Sequence, residues 1–467
     1  MSRSTSHPVQ GMPQPLTRRD VLRKASCGFG MLALAGLCRE GAAAEDRGPS
    51  APKPPHFAPR AKRVIFLFMR GAPSQHDMFD YKPRLNADDG QNDRSQKKKL
   101  VGSPWKFSKH GESGLWVSEL CPHMAGHADK LCVLNGLHTD NSDHTEATVQ
   151  LHTGSFQFVR PSVGAWTLYG LGTENQDLPG FITLSPTTDS GGAQSYGSAF
   201  LPAINQGTRI GTAKTPVAQV KLKNLNNPRL TLAAQREQLD LIQSLNRDLR
   251  QPEQVNTQLE GVIESYELAF RMQSELPRVM DLAGETRATL EMYGIGDGLA
   301  TDNFGRQCLL ARRFVESGVR FVEVCHEFWD HHTDLRQGLT GNCLATDQPI
   351  GALLADLKQR GLLDETLVIW GGEFGRTPDS PRRDGRDHNI KGYTMWLAGG
   401  GVKGGLAYGA TDDHGYEAVD GRVHLHDLHA TILHLLGLDH ERLTYRYGGR
   451  DFRLTDVHGR VVNEILA

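Results

Sequence analysis

The chain has 467 residues, of which 38% are hydrophobic and 23% charged, with a formal net charge of −2. That is ordinary globular composition, long enough for one large domain or two smaller ones. The balanced charge lacks the basic footprint of a nucleic-acid binder, so no nucleic acid is expected as a partner.

The first segment is unlike the rest. Leu16-Thr17-Arg18-Arg19-Asp20-Val21-Leu22-Arg23-Lys24 precedes a short apolar run, 27–37, and then Ala42-Ala43-Ala44. A charged region, a short apolar region and an A-x-A site predict a secretory signal over residues 1–44. The paired arginines in a T-R-R-x-x-L setting resemble a twin-arginine leader, which exports folded proteins, often with a metal or cofactor bound. The expectation is an exported protein, periplasmic or extracytoplasmic, with the twin-arginine machinery as a partner. The apolar run is too short to span a bilayer, so no stable membrane span is expected. Removal of residues 1–44 leaves Cys121, Cys132, Cys308, Cys325 and Cys343. This sparse, odd set is no disulfide framework, and leaves room for one bridge.

Residues 45–60 are Pro-rich and polar and read as a linker to a single domain over 61–467. The continuous apolar run 64–69 predicts a central strand. Charged, irregular residues 84–112 predict a surface loop. Further strands are expected at 130–135 and 181–184. Residues 230–292, rich in Gln, Leu, Glu and Arg at helical spacing, predict a helical excursion within about 225–300. From 303 the pattern becomes regular: helix 304–317, strand 319–324, helix 350–360, strand 366–370, strand 393–398, and helix 425–436 ended by Gly437. Strands alternating with helices predict an α/β fold with a mostly parallel sheet. In such sheets the working residues gather at the carboxyl ends of the strands.

Histidines and carboxylates recur at those strand ends. After the first strand come His76, Asp77 and Asp80. After 319–324 come His326, Asp330, His331 and His332. Glu373 follows Gly371-Gly372, and Arg386-Asp387-His388 precedes the strand at 393. Imidazole with carboxylate is the composition of a site for Zn, Mn or Fe, and carboxylate-rich variants suit Ca. Asp77 and Asp80 also have a plain reading as helix caps. Asn141-Ser142-Asp143-His144-Thr145-Glu146 opens a helix, with Asp143 and Glu146 spaced as a capping box. A helix start beside metals also suits a nucleophile, so Ser142 or Thr145 is a candidate catalytic hydroxyl, and His144 a candidate metal or substrate contact.

Taken in order, these stations resemble the alkaline phosphatase and sulfatase superfamily. Gly-Ala-Pro-Ser-Gln-His-Asp-Met-Phe-Asp, Leu-His-Thr-Gly at 151–154, Trp-Asp-His-His and Gly-Glu-Phe-Gly-Arg-Thr-Pro, behind a twin-arginine leader, resemble its exported, functionally uncharacterised, sulfatase-like branch. The resemblance implies an alkaline-phosphatase-like three-layer α/β sandwich and a metal-dependent hydrolase of phosphate or sulfate esters. It also implies a divalent metal (Zn, Ca, Mn or Fe) and a small-molecule or glycan ester substrate. Asp77 would be the first metal carboxylate, Asp330 with His332 (or His331) the middle pair, Glu373 the strand-end acid and His388 the late histidine. Arg376 or Arg386 would hold the anion. The chain departs from the superfamily in having Glu373-Phe374 where Asp-His is usual, and in lacking a Cys-x-Pro-x-Arg or Ser-x-Pro-x-Arg run, so a formylglycine sulfatase is not expected. The alternative is a degenerate member of the fold that binds a sulfated or phosphorylated glycan, or another exported partner, without turnover.

Overall fold

In Arg63–Met69 (β1) every residue after the first is buried, because helices cover both faces of the sheet it centres. Val64, Phe66 and Phe68 pack into one core, and Ile65, Leu67 and Met69 into the other. A strand covered on both sides must be apolar throughout, which is why its sequence shows no alternation. The computed structural model describes residues 50–220, 227, 229–248 and 257–467. The expected signal segment, and the expected linker as far as residue 49, lie outside the described residues. Residues 53–61 run along the domain, where Lys53, His56 and Arg60 donate backbone hydrogen bonds to Leu171, Gly437 and Leu435.

The other strands of the central sheet are Leu131–His138 (β2), Phe181–Leu184 (β3), Thr208–Ile210 (β4), Phe321–His326 (β5), Thr366–Gly371 (β6), Tyr393–Ala398 (β7), Leu406–Tyr408 (β8) and Val423–His424 (β9). Their order is β8-β2-β7-β6-β1-β5-β3-β4, with β9 beside β2. Only β7 runs against the rest, antiparallel to both β2 and β6. The fold is thus α/β with a mostly parallel sheet, as the sequence pattern predicts. The reversed strand brings the loop before β7 to the same edge as the loops after β1, β2, β5 and β6.

The helices used below are Gln75–Met78 (α1), His144–Thr153 (α2), Val163–Leu171 (α3), Leu232–Asp248 (α4), Thr257–Met280 (α5), Asp302–Glu316 (α6), Leu335–Gln359 (α7) and Leu425–Leu435 (α8). Phe304, Leu309 and Phe314 of α6 and Leu339, Leu353 and Leu357 of α7 bury one sheet face. Leu151 of α2, Trp166 of α3 and Leu433 of α8 bury the other. The helical excursion holds α4 and α5. Helix α7 begins fifteen residues before the expected 350, running through Gly338, Gly341 and Pro349. Those residues hide the helix from a reading by breakers, while buried Leu335, Leu339 and Cys343 anchor it. The expected loop at 84–112 contains the short strand Phe107–His110, which pairs with Leu115–Ser118 just beyond it. All five described cysteines are buried free thiols. No helix among the described residues is long and apolar enough to cross a membrane.

Candidate metal centre

The carboxyl edge of the sheet gathers the side chains that carry chemistry. Helix α2 starts there because Asp143 caps it, accepting from the backbone N–H of Thr145 at 2.9 Å and of Glu146 at 3.2 Å. The Glu146 side chain meets Asn141 instead of returning to Asp143, so the expected capping box is half made. His144 is thereby held in the first turn, pointing at the ends of β5 and β6.

Three imidazoles surround one carboxylate. His144 Nε2 lies 3.3 Å from Asp330 Oδ2, while His332 Nε2 and His388 Nε2 lie 3.2 and 3.5 Å from Asp330 Oδ1. Each ring is fixed from behind through its other nitrogen. His144 Nδ1 donates to Glu373 Oε1 at 2.6 Å, His388 Nδ1 to the Ser142 carbonyl at 2.6 Å, and His332 Nδ1 to Asp387 Oδ1 at 3.2 Å. A donated Nδ1–H leaves Nε2 as the nitrogen that ligates once it is unprotonated, so three potential donor nitrogens converge on Asp330. The Nε2 atoms of His332 and His388 are 3.0 Å apart. Two lone pairs at that spacing need a proton or a cation between them.

This donor set fits a metal. Among the described residues, His144, Asp330 and His388 form a group whose ligand atoms lie within 4.8 Å of one another. His144 Nε2 is buried and makes no hydrogen bond among the described residues, with Asp330 Oδ2 3.3 Å away. Oxygen acceptors behind ligating histidines are the usual second layer of metal sites, fixing tautomer and ring angle. Imidazoles with a carboxylate suit Zn, Mn or Fe, whereas Ca takes an all-oxygen cage.

Electrostatics follow from the geometry. Burial lowers the pKa of His144, but Asp330 and Glu373 outweigh it and raise it to about 9. Burial raises the Asp330 carboxyl, but His144, His388 and Arg376 together hold it far below the usual carboxylate range. Phe374, next to Glu373, is buried and packs against the rings of His144 and His388, with centroids 4.8 and 4.6 Å away.

Several expected residues sit elsewhere. Glu373 is fully buried, and both its oxygens accept from the Gly71 N–H at 3.0 and 3.3 Å, so it backs His144. That approach needs a glycine: at Gly71, with φ 107°, a Cβ would fall 2.7 Å from the Asp330 nitrogen. Asp77 is outside the cluster. Its carboxylate is gripped by Arg386 Nε at 2.7 Å and Nη2 at 3.1 Å, and both side chains are fully buried. Arg376 is also buried. Its Nη2 donates to Asp330 Oδ1 at 2.6 Å and its Nε to the Ala72 carbonyl at 3.0 Å, so it holds the carboxylate and is closed to substrate. His76 contacts the Arg376 carbonyl at 2.9 Å. His326 accepts from Trp329 Nε1 at 3.1 Å, and burial pushes its pKa down to about 4. His331 is turned away from the cluster against Gly338, and burial, with Arg376, pushes its pKa down to about 4. Ser142 and Thr145 are exposed at the start of α2, and no hydrogen bond joins either hydroxyl to a base among the described residues. Asp387 was legible beside His388 but reads alone as loop polarity. His144 as a central member is visible only once α2 is set against β5 and β6.

The family profile described as "Protein of unknown function (DUF1501)" matches residues 61–466. No curated protein matches the chain. Among solved structures, the lipoteichoic acid synthase LtaP from Listeria monocytogenes is 10% identical, with a TM-score of 0.38, over 87% of this chain and 78% of that one. The PsFucS1 sulfatase from Pseudoalteromonas sp. is 14% identical, with a TM-score of 0.36, over 82% and 69%. The phosphonate monoester hydrolase SpPMH from Silicibacter pomeroyi is 12% identical, with a TM-score of 0.35, over 80% and 73%. Likenesses this distant carry no argument; the fold class rests on the strand order itself.

Proposed function

The chain belongs to the DUF1501 family of proteins of unknown function, and from that footing we propose that it is an exported, metal-dependent hydrolase of phosphate or sulfate esters. The observation that carries this reading is the convergence of the His144, His332 and His388 Nε2 atoms on Asp330, each ring backed by an oxygen acceptor. The sequence resemblance to the alkaline phosphatase and sulfatase superfamily supplies the ester class. His144, His388, His332 and Asp330 would hold Zn, Mn or Fe. Bound there, such a cation supplies Lewis acidity toward an ester oxygen and a lowered pKa for an attacking hydroxyl or water.

The chain's own residues do the rest. Arg376 pins Asp330, and Glu373 pins His144, so the donors need little reorganisation. Asp330 and His332 are the exposed side of the cluster, at 37% and 45% of their side-chain surface, and mark where an ester would enter. Ser142 lies next to that opening, since its carbonyl holds His388. The twin-arginine leader supports loading with metal before export.

The exposed Ser142 and Thr145, whose hydroxyls make no hydrogen bond to a base among the described residues, favour a second reading in which the centre binds an anionic glycan without turnover. Elemental analysis of the exported protein, followed by a panel of phosphate and sulfate esters, separates the two. About one or two equivalents of Zn, Mn or Fe with release of phosphate or sulfate supports the hydrolase. Metal with glycan retention and no release favours the binding protein. No metal after native export sinks the metal centre.

A further inference from the structure

The two arginines expected to receive the substrate anion are both committed to the protein: Arg376 to Asp330 and Arg386 to Asp77. A third, Arg70, makes no ion pair among the described residues; it meets Ser190 and, at longer range, the charge of Asp189. It follows the last residue of β1 at the carboxyl edge. The alternation of β1 sends Phe66 and Phe68 toward the α2 side, and Arg70 continues that series. Phe68 touches the ring of His152, at 4.8 Å between centroids, so Arg70 stands one step farther up the α2 face, toward His144.

Arg70 donates through Nη2 to Ser190 Oγ at 2.6 Å. Its Nε is buried without a hydrogen-bond partner, and no ion pair joins it to a carboxylate among the described residues. Two more buried polar atoms, near the segment that carries Ser190, are unpaired among the described residues. Thr148 Oγ1, one turn below His144 on α2, has no partner, and neither has Ser195 Oγ. Gly191, the neighbour of Ser190, ties them together. The position a Cβ would occupy there is 2.6 Å from Ser195 Oγ and 3.3 Å from Thr148 Cγ2. Thr148 is fully buried, and Ser190 and Ser195 are 2% and 3% exposed. A cation with one spare buried donor, and two orphaned hydroxyls around Gly191, the neighbour of its partner Ser190, leave a desolvation cost that an oxygen-rich ligand would remove.

We propose that Arg70, with the hydroxyls of Ser190, Ser195 and Thr148, binds the anionic oxygens of the substrate's phosphate or sulfate group beside the metal centre. The choice of anion rests on the ester-hydrolase reading; the site itself does not. A guanidinium fork suits a tetrahedral oxyanion through paired hydrogen bonds. The hydroxyls donate to its remaining oxygens.

The test uses the full exported protein, loaded with its metal and also stripped of it, with inorganic phosphate and inorganic sulfate as probes. Calorimetry gives the anion affinity, and elemental analysis the metal content of each variant. Arg70→Gln is expected to weaken phosphate or sulfate binding by roughly 10- to 100-fold with metal content unchanged, the range for loss of charge-assisted hydrogen bonds. Arg70→Lys should recover part of it, and the Thr148→Val, Ser195→Ala pair should weaken binding by less. The pair also serves if Arg70→Gln fails to fold. Wild-type affinity in Arg70→Gln, or in the hydroxyl pair where Arg70→Gln does not fold, would overturn the site, as would no binding of either anion by the wild type in both metal states. Anion binding lost with Arg70 in a protein that takes up no metal would keep this site and refute the hydrolase.

Discussion

His144 serves two carboxylates with one ring: Nδ1 is 2.6 Å from buried Glu373, and Nε2 is 3.3 Å from Asp330 at the opening. The first contact orients the ring and the second faces the candidate cation. Glu373 and His144 should therefore differ in kind. His144→Ala removes a donor and is expected to abolish tight metal binding. Glu373→Gln keeps the shape and a hydrogen-bond acceptor, and should weaken metal affinity by about 10- to 100-fold, the usual cost of an outer-layer change. Competition with a calibrated chelator measures both. Equal and complete loss in the two variants would make Glu373 a ligand instead.

The same geometry sets a pH dependence. In the metal-free centre the His144 pKa is raised to about 9, so at neutral pH the ring carries a proton that metal binding must displace. Apparent metal affinity should rise roughly tenfold per pH unit from this group alone, up to about pH 9, and flatten above it. For the metal-free protein the sign is opposite. The charged ring is favoured by folding, so its contribution is fully present below the unfolded histidine value, near 6.5, and is lost as pH climbs through about 9. Melting curves across that range, with and without metal, check both limbs: metal-loaded protein should not show the alkaline loss.

Asp77 makes a separate prediction. Its pair with Arg386 has neither side chain exposed. Asp77→Asn leaves a buried guanidinium without its counter-charge and should cost about 3–5 kcal/mol in stability. Because the pair stands outside the cluster, metal content of the folded fraction should stay as in the wild type. Denaturant titration alongside elemental analysis decides the matter, and a loss of metal at unchanged stability would return Asp77 to the ligand set.

How far the sequence announced all this differs by feature. The central strands were legible because sheet strands covered on both faces are unbroken apolar runs: 64–69, 181–184, 366–370 and 393–398 each fall within one residue of the observed element. Helix α7 was half hidden, since a long helix can pass through Gly338, Gly341 and Pro349 when tertiary packing outweighs propensity. Asp330, His332 and His388 follow from ligand-type residues at strand exits. The partition between donors and the groups behind them does not. Nothing in Gly-Glu-Phe-Gly shows that Glu373 will be sealed beneath His144, or that Arg386 will turn back to Asp77 instead of outward. Those facts depend on which loop lies over which, and the single reversed strand β7 decides that by bringing His388 to the others.

A second buried pair lies below the centre and gives the last prediction. Glu323 of β5 and His152 of α2 face each other at 3.2 Å between Oε2 and Nε2, with 2% and 1% of their side chains exposed, and Thr183 Oγ1 donates to Glu323 at 3.3 Å. Strand β5 leads to Asp330 and His332, and α2 carries His144 two turns above His152, so the pair joins the two elements that supply the donors. Burial lowers the His152 pKa, but Glu323 outweighs it and raises it. Removing one partner, as in Glu323→Gln, should destabilise the fold by about 1–3 kcal/mol, because a buried polar group is left without its partner. Replacing both with Glu323→Met and His152→Leu should recover most of that loss, since apolar groups of similar volume carry no desolvation cost. If the pair also sets the height of α2 against β5, the stable double variant will still bind metal more weakly than the wild type. Denaturant midpoints and chelator competition on the three proteins separate the roles: full recovery of both would make the pair a local solution to two buried polar groups, and recovery of stability alone would make it the strut that holds His144 over Asp330.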